Sequence, residues 1–350
     1  MTSPSASIPT GSWVLVTGAN GYLAAQVVKH FLERDYKVRG TVRDVAKASW
    51  LVDDVFKSYA DRGDFALVVV EDFAASHAFD DAVKGVSAVI HVASIMTFDP
   101  DAQNVIPYAL AGTTGILEAA LSEPSVKEFV YTSSIAATTM PFPGNPTHVG
   151  KDTFNDMAVT AAWAPPPWEP HQGFLVYWAS KVESEKAVWR FVDEKKPNFT
   201  VNVVVPAMII GEQLDISHVN ANPCFPKHAL DNNVAVFANI PGMYTVDVKD
   251  AAMLHVAAAL DPEAKNTRLQ AWADNCTYNN VLEIMREFYP ERKLPDDLPG
   301  MSRLSITTDT SEPLGLLEKW TGQSNWKSLE QSVIESVQSV DILQAKAQKK

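Results

Sequence analysis

Tyr177-Trp178-Ala179-Ser180-Lys181 sets a phenol and an ammonium four residues apart. On a helix, positions i and i+4 share one face. A free phenol gives up its proton near pH ~10, too high for efficient acid–base work at neutral pH. A neighbouring positive charge lowers that value. Tyr177 could then donate a proton to a carbonyl oxygen while a hydride reaches the carbon. Ser134 follows the strand-like run Lys127 to Thr132 and could hydrogen-bond the same oxygen, fixing its position. The competing reading is a purely structural Tyr/Lys pair, because this spacing often arises by chance. Its weight depends on what precedes it.

What precedes it is Trp13 to Ala25, WVLVTGANGYLAA. Trp13-Val14-Leu15-Val16-Thr17 is apolar and β-favouring. Gly18, Asn20 and Gly21 make a tight turn, and Tyr22 and Leu23 open a helical stretch that reaches about Glu33. Strand, glycine turn and helix in that order form the phosphate-binding end of a dinucleotide fold. Glycine lets the backbone bend, and a pyrophosphate can then approach the free N–H groups at the helix start. Ala24 stands where a third glycine often sits; a small residue still lets the helix pack on the strand. The bland alternative is a strand-turn-helix whose glycines only turn. With a dinucleotide in place, Lys181 could also hold the ribose beside its nicotinamide, and an oxidised nicotinamide ring would add to the positive charge near Tyr177.

The second strand, Tyr36 to Arg43, ends where the adenosine ribose should lie. Arg43, with Lys47 a turn later, suits the 2′-phosphate of NADPH better than the ribose hydroxyls of NADH. Asp44 could neutralise part of that charge, and solvated surface charges are the alternative reading. Phe65 to Val70 is a continuous apolar run suited to a strand buried on both faces. Asp72 and Phe73 follow it, with Asp72 placed to accept from the adenine amine. A helix-like Phe79 to Lys84 leads to a fourth strand, Val86 to His91, and to Val92-Ala93-Ser94. The small residues there, Ala93 among them, would let a cofactor lie across the strand ends. His91 reads as a packed strand residue. Val105 to Leu121 is helical by period, and Lys127 to Thr132 is a fifth strand. Alternating strands and helices imply an α/β fold, a doubly wound parallel sheet of Rossmann type.

Thr138 to Gly173 breaks the rhythm with proline-rich MPFPGNP and APPPWEP, and reads as an excursion near the site. A helix resumes over Phe174 to Lys195, and Phe199 to Val205 is a sixth strand halted by Pro206. Residues 13–206 thus form the cofactor domain, behind a flexible tail of residues 1–12. Residues 207–350 read mainly as a smaller mixed C-terminal substrate lobe, with 246–272 returning to the first domain. Helices are expected over Val248 to Leu260, Asn279 to Tyr289 and Ser328 to Leu343, a late strand over Arg268 to Trp272, and fraying at the terminal KAQKK.

The chain has 350 residues and a net charge of −13. That charge argues against nucleic acid or an anionic membrane as partner. No apolar run reaches membrane-spanning length, and the polar start has no signal-peptide pattern. With two cysteines, Cys224 and Cys276, reduced thiols and a cytoplasmic location are expected. The acceptor triplets at Asn198 and Asn275 are discounted on the same ground. Nothing calls for a metal, and the chain is expected as a monomer or homodimer.

Taken together, Thr17 to Ala24, Val38 to Arg43, His91 to Ser94, Val130 to Ser134 and Tyr177 to Lys181 resemble an extended short-chain dehydrogenase/reductase. Within it the chain is similar to the dihydroflavonol 4-reductase-like branch and to the fungal NADPH-dependent aldehyde and carbonyl reductases. The likeness runs over nearly the whole chain, including Trp326 to Ser332. It implies Ser134, rather than Ser133, with Tyr177 and Lys181 as the catalytic set. It implies Arg43 at the NADP phosphate, Asp72 on the adenine side and Pro206 on the nicotinamide side. Gly18, Gly21, Tyr22 and Leu23 become the glycine-turn contacts. The Asn that many relatives place before Gly112-Thr113 is replaced by Ala111, so a proton relay through it is in doubt.

These readings lead to an NADPH-dependent reductase of aldehydes or ketones. A sugar-nucleotide epimerase that retains NAD shares the motifs but usually favours an acidic residue after the second strand. A redox-sensing nucleotide-binding regulator commonly lacks the tyrosine. Met96, Phe98, Trp178, Met208, Phe225 and Met243 are candidates for an apolar pocket suited to hydrophobic ketones and β-ketoesters, and each could equally be core.

Overall fold

The structure is a computed structural model. It describes residues 5–349 other than 141–143, 145, 222–224, 235, 236, 238 and 239, and only the backbone of 220, 221 and 225. The apolar runs of the first two hundred residues become β1 (Trp13–Val16), α1 (Tyr22–Leu32), β2 (Lys37–Val42), the short α2 (Lys57–Asp61), β3 (Phe65–Val69), β4 (Ala88–His91), α3 (Ala102–Ser122), β5 (Glu128–Thr132), β6 (Thr147–Val149), α4 (Asp156–Ala162), α5 (Gln172–Lys195) and β7 (Thr200–Pro206). There follow β8 (Met208–Ile210), α6 (Ile216–Ala221), α7 (Phe225–Leu230), β9 (Met243–Asp247), α8 (Val248–Leu260), β10 (Arg268–Ala271), β11 (Asp274–Cys276), α9 (Tyr278–Phe288), β12 (Ile306–Thr308), α10 (Ser311–Thr321) and α11 (Leu329–Ala347).

Seven strands form one parallel sheet in the order β10-β7-β5-β4-β1-β2-β3. Successive strand side chains point to opposite faces, and the two faces have separate cores. Val14, Val16, Ile90 and Val130 meet α1 and α8 on one side. Leu15, Val89, Phe129 and Tyr131 meet α3 and α5 on the other. The chain winds outward in both directions from β1 and β4. That switch point opens a crevice at the carboxyl ends of the strands, where open α/β sheets bind ligands. The smaller lobe has the mixed sheet β11-β9-β8, antiparallel between β11 and β9 and parallel between β8 and β9. Its core includes Phe237, Tyr278, Leu282, Met285, Val333 and Val337.

Several expectations are corrected. β3 is the outer strand of the sheet and leaves Val69 47% exposed, so it is not buried on both faces. Residues 79–84 form turns, not a helix. The proline-rich excursion contains β6, which pairs in parallel with β12, and α4, whose cap Asn155 accepts from the Ala158 N–H at 3.3 Å. Residues 5–12 are not loose. Ile8 is buried, its carbonyl accepts from the Tyr36 hydroxyl at 3.0 Å, and the Ser7 N–H donates to Leu260 O at 2.7 Å. One apolar anchor in a polar stretch was enough to seat it.

The helix α10 was unforeseen, although Pro313 in its first turn is a start signal. α3, at 21 residues, is long and apolar enough to cross a membrane, contrary to the sequence reading. Here part of its apolar face packs on the sheet and on α5, while Tyr108 and Leu121 stay exposed. Cys224 lies outside the described residues; Cys276 is a buried free thiol, pushed up to about 12 chiefly by burial.

Candidate active site

The crevice begins at the turn after β1. Gly18 has φ +64°, and a Cβ there would stand 3.3 Å from both Cα and Cβ of Ala93. Its N–H donates to Thr41 Oγ1 at 3.0 Å, and the Ala19 N–H to Thr41 O at 2.9 Å. Gly40, on β2, is the partner in this approach: a Cβ on it would come within 2.6 Å of Ala19 Cβ. Glycine inside a strand signals such close contact. Thr17 Oγ1 accepts from the N–H groups of Val92 and Ala93, at 3.0 Å each, and bonds His91 Nδ1 at 3.0 Å. His91 is buried, and burial, with Lys181 adding to it, pushes its pKa down to about 3. A neutral imidazole then accepts the Thr17 proton, so His91 is a packing residue that seats the strand ends.

α1 starts from Gly21 with no side-chain cap, which leaves its first N–H groups to an anion. Tyr22 and Leu23 are mostly buried, so backbone N–H groups are what they can offer. The glycine cradle and the uncapped helix start fit a pyrophosphate. Asn20 faces the other lobe, its carbonyl 3.1 Å from His218 Nε2.

Arg43 is exposed just beyond β2 and has no ion-pair partner among the described residues. Asp44, expected to neutralise it, is otherwise engaged. Its Oδ1 accepts from the N–H groups of Ala46 and Lys47, and its Oδ2 is 3.8 Å from Lys47 Nζ. Asp72 accepts from the Tyr108 hydroxyl and from the Ala74 N–H at 2.9 Å, which holds its carboxyl below the usual range. Phe73 is a wedge. Its ring lies edge-on to Tyr108 and so close to Gly112 that a Cβ there would stand 2.0 Å away. Pro206 is buried at the end of β7.

At the tip of β5 the two serines part. Ser133 Oγ donates to Glu185 Oε2 at 2.5 Å. Ser134, extended at φ −160°, caps the next turn by accepting from the Ala136 N–H at 3.2 Å and lies beside the Tyr177 phenol, where it favours the phenolate. Lys181, one turn along α5, is buried, and its ammonium donates to Thr132 O at 3.3 Å. Burial pulls that ammonium down to about 8, with Glu185 opposing. Ser134, Tyr177 and Lys181 are therefore brought together at the carboxyl end of the sheet. The phenol itself is pushed up: burial outweighs the lowering effect of the neighbouring Ser134. This differs from the expected lowering by Lys181, because the Phe98 ring covers the phenol, centroid to centroid 5.4 Å, and the ammonium faces Thr132.

Sequence reasoning missed the support under this set. Thr132 Oγ1 bonds His255 Nε2 at 2.9 Å, and His255 Nδ1 is 2.7 Å from Ala251 O. Nδ1 must donate there, so Nε2 accepts from Thr132. A histidine on the buried face of α8 was the available signal. Thr113, Tyr131 and Ser184 line a small recess beside Lys181, and Ala111, which stands where many relatives place the Asn, is exposed and not part of it.

Beyond Tyr177 an open cleft of about 350 Å³ is lined by Phe98, Pro100, Trp168, Glu169, Pro170, Gly173 and Phe174. Phe98 has φ +52° and lies 5.2 Å from Phe174. Met96 is exposed and Trp178 half-buried near this end. Met208 and Met243 pack in the core of the smaller lobe instead. The Phe225 side chain lies outside the described residues.

The comparisons agree with this architecture. The 3-beta hydroxysteroid dehydrogenase/isomerase family matches residues 15–270. Aldehyde reductase 2 of Sporidiobolus salmonicolor is 35% identical over 95% of this chain and 97% of its own length. The NAD-dependent epimerase/dehydratase terH of Aspergillus terreus is 35% identical over 97% of this chain and 100% of its own. The yeast methylglyoxal/isovaleraldehyde reductase solved with NADPH is 27% identical, covers 95% of this chain and 99% of its own, and superposes with a TM-score of 0.78. This chain belongs to the 3-beta hydroxysteroid dehydrogenase/isomerase family of extended short-chain dehydrogenase/reductases, in its fungal aldehyde- and ketoreductase branch of NADPH-dependent oxidoreductases.

Proposed function

We propose that this chain reduces an aldehyde or ketone to the alcohol with NADPH, and that Tyr177 is the proton donor. The observation that carries the reading is the placement of Ser134 beside the Tyr177 phenol, with Lys181 a turn away on the same helix. When bound, NADPH supplies the hydride. Gly18, Gly21 and the first N–H groups of α1 would hold its pyrophosphate, Arg43 its 2′-phosphate, and Ala93 and Pro206 its path across the strand ends. Ser134 donates to the substrate oxygen and fixes it. Tyr177 gives its proton to that oxygen and becomes a phenolate, while Lys181, whose ammonium donates to Thr132 O, would hold the nicotinamide ribose. The Phe98 ring packs against that of Tyr177, 5.4 Å centroid to centroid, at the mouth of the adjoining cleft.

The aromatic and proline lining of the adjoining cleft favours substrates with an apolar body, such as aromatic ketones and β-ketoesters. Aldehyde reductase 2 carries a compatible name. The name of terH favours a second reading, an epimerase that keeps its NAD. The unpaired Arg43 favours NADPH. Purified protein given NADPH and a 4-chloro-3-oxobutanoate ester should consume one NADPH per alcohol formed. Protein that purifies with stoichiometric NAD and leaves the ester untouched would favour the epimerase. Tight NADPH binding without turnover on a carbonyl panel would favour a sensor.

A further inference from the structure

We propose that Glu185 is a positioning residue for this reduction: through Ser133 and Arg268 it fixes the β5 tip that presents Ser134, and it balances the buried Lys181 ammonium. The inference rests on the reductase reading. Tyr177, Lys181 and Glu185 follow each other at i, i+4 and i+8 on α5 and so share one face. Glu185 is fully buried, and both of its oxygens are occupied. Oε2 accepts from Ser133 Oγ at 2.5 Å and from Arg268 Nη2 at 3.0 Å. Oε1 stands 2.6 Å from Arg268 Nε and accepts from Trp189 Nε1 at 3.1 Å. Arg268 comes from β10 at the other edge of the sheet. Its Nη1 donates to Lys151 O at 3.1 Å and to Thr153 O at 2.6 Å, and its guanidinium lies 4.5 Å from the Phe154 ring. One carboxylate thus ties α5, β5, β10 and residues 151–154.

A buried ion pair contributes little to stability over apolar residues of the same volume, because desolvation offsets its attraction. Its effect on the site is more specific. Anchoring Ser133 on Glu185 fixes the backbone from which the next residue, Ser134, is presented beside Tyr177. The groups that act on Lys181 are Thr132 O from β5, neutral His91 from β4, and Tyr177 and Glu185 from α5, with Tyr131 beside them and Arg268 beyond Glu185. Glu185 is the anion among them.

The test is Glu185→Gln, which keeps the shape and an acceptor for Ser133 but removes the charge. The Lys181 titration is read by NMR of 13Cε-labelled lysine and assigned by its loss in Lys181→Arg. Loss of a nearby anion disfavours the ammonium, so that titration should move down by roughly one pH unit. The alkaline limb of kcat should follow it, with kcat at pH 7 falling about tenfold and KM for NADPH changing less than about threefold. A titration and a kcat within about twofold of wild type would overturn the proposal. If Glu185→Gln does not fold, Ser133→Ala decides: a kcat fall of about tenfold at unchanged KM for NADPH supports it, and wild-type kcat overturns it. The NMR titration needs no turnover. Wild-type protein without reductase activity would sink the reductase reading, while the Lys181 shift would still decide its coupling to Glu185.

Discussion

Gly18 and Ala93 face each other across the switch point, and a Cβ on residue 18 would stand 3.3 Å from both Cα and Cβ of Ala93. The contact couples the turn after β1 to the exit of β4, so the proposed pyrophosphate cradle and the proposed nicotinamide path share one support. A side chain at residue 18 must push Ala93 aside and also take a φ of +64°. Gly18→Val should raise the Kd for NADPH at least about tenfold and cost roughly 1–3 kcal/mol of stability. Fluorescence titration and urea unfolding would check both.

Arg43 stands at the end of β2 with its neighbour Asp44 committed to the next turn and to Lys47. A charge-assisted bond to phosphate is worth about 1.5–3 kcal/mol. Arg43→Ala should therefore raise KM for NADPH by roughly 10- to 100-fold and leave KM for NADH nearly unchanged. An equal loss for both cofactors would place the 2′-phosphate elsewhere.

Ser134 rather than Ser133 is free to face the substrate, because Ser133 is taken by Glu185. Ser134→Ala should lower kcat about 100-fold, the usual loss for one donor to a reacting oxygen, with KM for NADPH little changed. Steady-state kinetics with both substrates varied would separate the two constants.

Lys181 carries a stability cost with a definite sign. Its folded value, about 8, lies below its ordinary 10.5. Between those pH values the unfolded chain holds the extra proton, so stability rises with pH through that window and the cost is full below it. Lys181→Met removes the buried charge. At pH 7 the variant should be more stable than wild type by roughly 1–3 kcal/mol, and the gap should close as pH rises past 10. Urea unfolding at both pH values tests it; a gap that does not change with pH would contradict it.

The parts of the fold that could be read early are those whose cause is local. The glycine turn, the Tyr177–Lys181 stripe and the strands of β1, β2, β5 and β7 each follow from a few neighbouring residues. What escaped depends on contacts distant in sequence. The position of β3 at the sheet edge is set by what fails to cover it. Ile8 is held by Tyr36 and by the backbone at Ser7 and Leu260. The Thr132–His255 bond spans 123 residues, and the Glu185–Arg268 pair spans 83. Glu185 was the more legible of the two: a carboxylate one turn past Lys181, on the face that α5 buries, requires a partner. Gly40 gave a signal of the same kind, a glycine inside a strand with no turn to make.

The central claim is that the Tyr177 phenol delivers the proton. Single-turnover mixing of NADPH-loaded Tyr177→Phe with an activated β-ketoester tests it most directly, with NADPH fluorescence confirming that the cofactor is bound. Hydride transfer should slow by about 100- to 10,000-fold while the Kd for NADPH stays within about threefold of wild type. Transfer at the wild-type rate in that variant would contradict the account.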